Sequence, residues 1–426
     1  MRKVELNVQN FFSEIPIKAE RIQADIEAIS RFTDPDVPFT RRAFSPQYLE
    51  SRAWLAMQFK NAGLSVKVDA AGNLIGQMGP ESKSVLMMGS HTDTVQGGGR
   101  FDGILGVMAA LEVARALNES SIELNHSLEI VDFVCEEPTI VNLSPLGSRI
   151  MAGDVTITEV SKAITPFGQS LSDAIADLGG NPSQLNTAVR EPGSIAGYLE
   201  LHIEQAPVLE RESLSVGVVT AIAAPCRAKV SIKGSADHAG ATMMNERKDA
   251  LAAAAELILL VEKITTSPLM SPDGVGTVGW LENFPNMANV IPGEVNLTVE
   301  IRSTQAAPLV EAMNEIDQAL DEISERRGLE VEIEWQHVET PVTLPLQMQE
   351  AVSQACTSLG FPVKKMPSRA SHDAARLAPI FPAGMIFIRC KEGRSHASEE
   401  WASLEDIADG ARVLAQSLLN LDSKAT

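Results

Sequence analysis

Apolar residues recur at helical spacing over residues 17–32 and 45–62, with Gly63 placed as a stop for the second stretch. Short apolar runs at 66–68, 74–76 and 84–88 predict strands, the last leading into GSHTDTV. Residues 104–117, rich in Ala, Leu, Val and Met, predict a buried helix. The run LEIVDFVC at 128–135 is almost continuously β-prone, the pattern of a strand covered on both faces. It delivers Glu136 and Glu137 at its carboxyl end, and YLELHIE at 198–204 is a further strand carrying His202. In open α/β sheets ligands gather at the carboxyl ends of strands, so these acidic and imidazole groups lie where chemistry is expected.

The pattern changes near residue 212. A strand (216–233), a helix (247–265), two strands (274–281 and 294–302), a helix (308–327) and a strand (329–336) follow in order. That β-α-β-β-α-β order is the split, ferredoxin-like arrangement. The proline-bearing TPVTLPL then marks a return to the first domain. The predicted fold is α/β, with a mixed central sheet in a domain of residues 1–212 and 339–426. A smaller α+β domain of residues 213–338 interrupts it.

With 426 residues and 44% hydrophobic content, the chain has enough apolar mass for a substantial core. A formal net charge of −21 argues against nucleic acid or an anionic membrane as partner. The four cysteines show no CxxC spacing, as expected of reduced thiols in a cytoplasmic protein. The N-terminal MRKVELNVQNFFSEIPIKAERI lacks the apolar core of a secretory signal. No run reaches the about 18 apolar residues of a membrane helix.

The segment GSHTDTVQGGGRFDG, residues 89–103, concentrates the candidate chemistry. It holds His91, Asp93 and Asp102, and the pair Glu136–Glu137, His202 and His396 lie farther along. Zinc and manganese accept imidazole and carboxylate ligands of this kind. Two ions sharing a carboxylate make a hydrolytic centre, so the set reads as a two-metal hydrolase. In an extended segment residues two apart share a face, so Asp93 can accept the second imidazole N–H of His91. Taken singly, a histidine is more often a core or surface residue, and His126 and His337 are read that way. Adjacent glutamates are commonly a solvated loop; burying both calls for a compensating cation. Gly97–Gly99 lack both the phosphate-loop and the GxGxxG spacing, which excludes a nucleotide site.

Together these stretches resemble the metal-dependent amidases of the hydantoinase/carbamoylase family, a branch of the aminoacylase and M20 metallopeptidase superfamily. The resemblance rests on GSHTDTVQGGGRFDGILGV, the EE pair followed by GSRIMAG, HIEQAPVLE, GSADHAGATMM, NVIPGEVNLTVEIR, SHDAA and SHASEEW, and spans about residues 20 to 420. It implies Asp102 as bridging ligand between two divalent metals (zinc, manganese or cobalt), with His91 and His202 on one and Glu137 and His396 on the other. Glu136 would be the general base. It also implies that the inserted domain is a lid and dimerisation domain, making the protein a homodimer. There His238, Asn289 and Arg302 match residues that close over substrate. Periodicity agrees for Arg302: Val295, Leu297, Val299 and Ile301 share one strand face and leave it on the other, free for a surface ion pair or for bidentate capture of a carboxylate. His238 could donate to an oxyanion. Gln205, beside His202, is a polar-contact candidate for substrate.

The chain departs from the family pattern on the substrate side. Pro138 and Ile140 follow the EE pair where glycine and arginine are usual, and HIEQG becomes HIEQA at Ala206. Pro225 and Cys226 stand in place of a Gln-Arg pair, and two glycines before the HDA sequence are Arg369 and Ser371. Arg369 is thereby a candidate substrate contact. The resemblance implies hydrolysis of a linear amide or ureido bond in a small carboxylate-bearing compound, with an N-carbamoyl-L-amino acid foremost. An N-acyl-amino-acid or dipeptide hydrolase using the same centre is the alternative. A binding protein that lost its chemistry would lack Glu136 or a ligand, and none is missing.

Overall fold

The computed structural model describes residues 15–81, 84–140, 143–267, 270 and 272–423, with the side chain of His337 outside that set. Most of the N-terminal segment considered above as a secretory signal also lies outside the described residues. The chain divides into two compact units: residues 1–218, 346–364 and 380–426, and residues 219–345 and 365–379.

The first unit begins with α1 (Ala19–Ile29) and α2 (Pro46–Asn61), the latter capped by the Ser45 hydroxyl, which accepts the Tyr48 N–H. There follow β1 (Ser65–Val68), β2 (Leu74–Met78), β3 (Val85–His91), α3 (Ile104–Glu119) and β4 (Ser127–Phe133). Three short helices, α4 (Leu146–Ala152), α5 (Ile157–Lys162) and α6 (Leu171–Asp177), occupy a stretch whose pattern predicted no element. They gather Leu146, Ile150, Leu171 and Ile175 into a cluster with Tyr48 and Val134, and each is too short to show a full amphipathic repeat. Then come β5 (Ile195–Ile203), α7 (Val208–Arg211) and β6 (Val216–Ile222).

In the second unit β7 (Ala224–Lys233) follows β6, so the single strand expected over 216–233 is two. After it run α8 (Ala250–Thr265), β8 (Val275–Phe284), β9 (Glu294–Ser303), α9 (Ala306–Arg327), β10 (Glu330–Val338) and the two-residue β11 (Val342–Thr343). The sheet order β10-β7-β9-β8 is fully antiparallel, as the ferredoxin-like pattern predicts. Val295, Leu297, Val299 and Ile301 are wholly buried on the side of β9 that meets α8 and α9, while its alternate residues are half-buried.

The chain ends with α10 (Leu346–Ser358), β12 (Lys365–Ser368), α11 (Asp373–Leu377), β13 (Ala383–Ile388) and α12 (Leu404–Asp422). In the first unit the strands run β1-β2-β4-β3-β5-β13, followed by the start of β6. Strands β4, β3, β5 and β13 are mutually parallel and therefore end on one edge. Both β3 and β4 are buried at every residue, which explains their mostly apolar composition, with Glu129 and Asp132 of β4 buried in ion pairs. Helices α1, α3, α10 and α12 share one core with the sheet, and α3 is buried from Ile104 through Ala114.

Candidate metal centre

The carboxyl ends of the parallel strands hold the candidate ligands. His91 is the last residue of β3, His202 the penultimate residue of β5, and Glu136 and Glu137 lie just beyond β4. Asp102 precedes α3 at the left-handed Gly103, where a Cβ would strike the His91 ring. His396 follows β13 in a loop.

Asp102 divides its two oxygens between two groups of donors. Oδ1 lies 3.0 Å from His202 Nε2 and 3.8 Å from His91 Nε2, and Oδ2 lies 3.0 Å from His396 Nε2. Glu137 Oε1 stands 3.3 Å from the same His396 nitrogen. Thus His91, Asp102 and His202 form one cluster of ligand atoms, and Asp102, Glu137 and His396 another. Glu136 Oε2 is 3.7 Å from His91 Nε2 and touches the first cluster from outside.

The chemistry of these donors fits divalent cations. His91 Nδ1 lies 3.0 Å from the Asp93 carbonyl oxygen, and His202 Nδ1 lies 2.9 Å from the Ile203 carbonyl oxygen. A carbonyl only accepts, so each ring carries a hydrogen on Nδ1 and presents Nε2 on the Asp102 side as the nitrogen that would bind a cation once it has lost its own proton. Among the described residues, Asp102 and Glu137 pair with histidines and with no lysine or arginine. Burial pushes the Asp102 carboxyl up, but its hydrogen bonds with His202 and His396 prevail and hold it well below the usual range. Those same bonds to Asp102 and then Glu137 raise His396 to about 11. Burial lowers His91, yet Glu136, Asp93 and Asp102 outweigh it and leave that imidazole well above its ordinary value.

Asp93 supports the centre differently from its expected role. Its carboxylate Oδ1 is 3.7 Å from His91 Nδ1, while its backbone oxygen takes the ring N–H. The carboxylate instead accepts the backbone N–H groups of Glu136 and Glu137, each at 3.2 Å, and so holds the acidic pair at the end of β4. Burial pushes Asp93 up to about 7. Gln205 is likewise engaged inside the protein: its amide Nε2 donates to Asp102 Oδ2 at 2.8 Å and to Ser395 Oγ at 3.1 Å. Its position next to His202 was legible, but the direction of its amide depends on a left-handed backbone at residue 205.

The sequence profile described as peptidase family M20/M25/M40 matches residues 87–420, a span that contains the whole cluster. The chain belongs to this family. It is 39% identical over 383 residues to an N-carbamoyl-L-amino acid amidohydrolase of Geobacillus stearothermophilus, covering 89% of this chain and 92% of that protein. A ureidoglycolate hydrolase of Arabidopsis thaliana is 37% identical over 422 residues, with 97% and 88% covered. A hydantoinase/carbamoylase family amidase from Burkholderia multivorans superposes with a TM-score of 0.86 at 31% identity, covering 96% of this chain and 99% of the other. This M20 chain is thus a hydrolase of the hydantoinase/carbamoylase branch, in a family whose enzymes depend on metal.

In the second unit of this M20 chain, His238 is exposed, and its Nδ1 accepts the N–H groups of Gly240 and Ala241 at 3.0 and 3.1 Å. The ring hydrogen therefore sits on Nε2 as an available donor. Asn289 lies on the adjoining loop, joined through its carbonyl to the Ala239 N–H. Arg302 Nε donates to Glu300 at 2.6 Å and Nη1 to the Arg369 carbonyl at 3.3 Å, so it is partly ion-paired, with no partner for Nη2 among the described residues. Burial raises the Glu300 carboxyl, but Arg302 and Arg227 together hold it below its usual value. Arg369 is exposed and forms no ion pair among the described residues. The departures at Cys226 and Ile140 face apolar cores. Pro225 lies opposite Arg302 across the β7–β9 ladder, while Pro138 is exposed.

Glu400 was not among the expected site residues. It is wholly buried, and its carboxylate gathers the backbone N–H groups of Arg100, Phe101 and Asp102. The SHASEEW stretch holds both His396 and Glu400. The signal available was a glutamate four residues after a ligand-like histidine.

Proposed function

We propose that this chain hydrolyses a linear C–N bond in a small carboxylate-bearing ureido compound, foremost an N-carbamoyl-L-amino acid. Water adds to the ureido carbonyl carbon, the bond to the amino-acid nitrogen breaks, and the carbamic acid released decomposes to CO₂ and ammonia. Several curated relatives are named amidohydrolases, and the observation that carries the reading is the shared Asp102, with one carboxylate oxygen turned to each donor group. Two divalent ions, zinc, manganese or cobalt, would be held by His91, Asp102 and His202 and by Asp102, Glu137 and His396. Bound there, they would polarise the carbonyl and acidify water.

The chain's own groups do the rest. Glu136 takes a proton from the attacking water and hands it to the departing nitrogen, since a free amide anion cannot leave. Asp93 keeps that carboxylate in place through the two backbone N–H groups it accepts. His238 offers its Nε2–H to the developing oxyanion. Arg302 takes the substrate carboxylate and Arg369 extends the positive charge, while His238 and Asn289, beyond the opposite end of β9, would reach that substrate from the partner subunit. The second unit acts as lid and as the dimer contact.

Arg369 in place of glycine also favours a second reading, in which an N-acyl amino acid or dipeptide meets the same centre. The test loads metal-stripped protein with Mn²⁺, Zn²⁺ or Co²⁺ and offers N-carbamoyl-, N-formyl- and N-acyl-L-amino acids and allantoate. Amine and ammonia released together from carbamoyl substrates supports the first reading. Amine without ammonia, only from N-acyl compounds, moves the chain to the second. In either case Glu136→Gln should lower kcat by about 10²–10⁴-fold while metal stays bound. An unimpaired Glu136→Gln enzyme would remove Glu136 as the base.

A further inference from the structure

We propose that Glu400 is a positioning residue for the metal centre, pinning the turn that presents Asp102 and tying it to the segment that carries His396. The inference rests on the two-metal reading above and concerns how unequally its two halves are supported.

Glu400 Oε1 accepts three successive backbone N–H groups, from Arg100 at 2.9 Å, Phe101 at 2.6 Å and Asp102 at 3.1 Å. Three donors converging on one oxygen leave the Arg100–Asp102 backbone little freedom, because any rotation breaks a charge-assisted bond in the interior. Room for the carboxylate comes from Gly99, where φ is +100° and a Cβ would collide with Glu400. Among the described residues Glu400 makes no ion pair, so these N–H groups are its principal compensation for burial.

The other oxygen reaches the reacting side. Glu400 Oε2 is 3.0 Å from Ser395 Oγ, which is itself 2.8 Å from Asp102 Oδ2. Gln205 Nε2 donates to that same Asp102 oxygen and to Ser395 Oγ. Oδ2 is the oxygen that faces His396, whereas Oδ1 faces His91 and His202. Ser395 is also the residue directly before His396. The contacts of Glu400 Oε2, Ser395 and Gln205 therefore bear on the Asp102–Glu137–His396 half, while Glu400 Oε1 holds the Asp102 backbone that both halves share. The other half relies on the carbonyl oxygens of Asp93 and Ile203 to orient its histidines.

The test isolates each half with Co²⁺ alone, using His202→Ala to leave the Glu137–His396 half and His396→Ala to leave the His91–His202 half. Affinity is read by chelator competition and by the Co²⁺ absorption spectrum, without substrate. Adding Glu400→Ala should weaken Co²⁺ binding about 10–100-fold in the first background, the usual cost of losing a residue that orients a ligand, and by a smaller factor in the second, where only the hold on the Asp102 backbone is lost. Glu400→Gln, which keeps an oxygen for the three N–H groups, should restore most of the affinity. Equal losses in both backgrounds, or none in either, would overturn the proposal. If Glu400→Ala does not fold, Ser395→Ala carries the test. It should weaken only the Glu137–His396 half, and indifference there overturns the proposal as well. Wild-type protein that binds no Co²⁺ would bring down the two-metal reading itself. Wild-type protein that binds two ions, with variants that bind alike, would sink only the role of Glu400.

Discussion

Replacing Asp93 separates two ways in which an aspartate next to a metal-site histidine can act. In the structure its carboxylate holds the N–H groups of Glu136 and Glu137 at 3.2 Å, while its backbone carbonyl orients His91. Asp93→Ala strands two buried donors, each costing about 1–3 kcal/mol, so the metal-free protein should lose about 2–6 kcal/mol. Asp93→Asn keeps one acceptor oxygen and should lose about 1–3 kcal/mol. Burial penalises the Asp93 charge and raises its pKa to about 7, so the neutral amide escapes that penalty and its loss should fall at the low end. The assay is urea unfolding of metal-free protein at pH 8, where Asp93 is ionised, reading the midpoint at constant slope. Co²⁺ affinity of the His91–His202 half is measured in parallel. Because a carbonyl survives at residue 93 in every variant, that affinity should fall far less than the about 10–100-fold typical when a histidine loses its partner. Unchanged stability with a 10–100-fold loss of affinity would refute the reasoning and return the carboxylate to the His91 ring.

Two further outcomes follow from the site. In the metal-free protein Asp102 and Glu137 hold His396 protonated up to about pH 11, and a ligand must be neutral, so loading metal at pH 7.5 should expel at least one proton. Affinity should then rise with pH, and titration calorimetry in buffers of different ionisation enthalpy should show the release; identical heats in all buffers would contradict it. Arg302→Ala removes a charged donor from the substrate carboxylate, worth about 1.5–3 kcal/mol, and should raise KM about ten-fold or more with a smaller change in kcat. A fall confined to kcat would place Arg302 with the reacting bond instead.

Much of the scaffold was legible because burial imposes a simple periodicity. Strand β9 alternates apolar and polar residues, and α3 and β4 are so thoroughly buried that apolar residues dominate both. The break at Ala223 was not legible, since the chain passes from one sheet to the other without losing its apolar character. Residues 146–177 fold as three helices of six or seven residues, too short for a repeat to register. The strand expected to reach Cys135 ends at Phe133, because Cys135 turns to φ +55° and so swings Glu136 and Glu137 towards Asp93.

The sequence by itself determined which residue types could hold metal and in what order they come: one histidine-aspartate segment, one pair of glutamates and two distant histidines, on strand ends that the apolar pattern already located. Only the tertiary structure decided what each of them touches. Which oxygen of Asp102 faces which imidazole, and which atom of Asp93 meets His91, depend on side-chain and carbonyl directions that no spacing encodes. Glu400 and Asp102 stand almost three hundred residues apart, and their contact exists only because β13 lies beside β5 in the folded sheet. Residue identity is a property of the chain. Direction and long-range proximity arise when parallel strands bring their carboxyl ends to a common edge and burial obliges each polar atom there to find a partner.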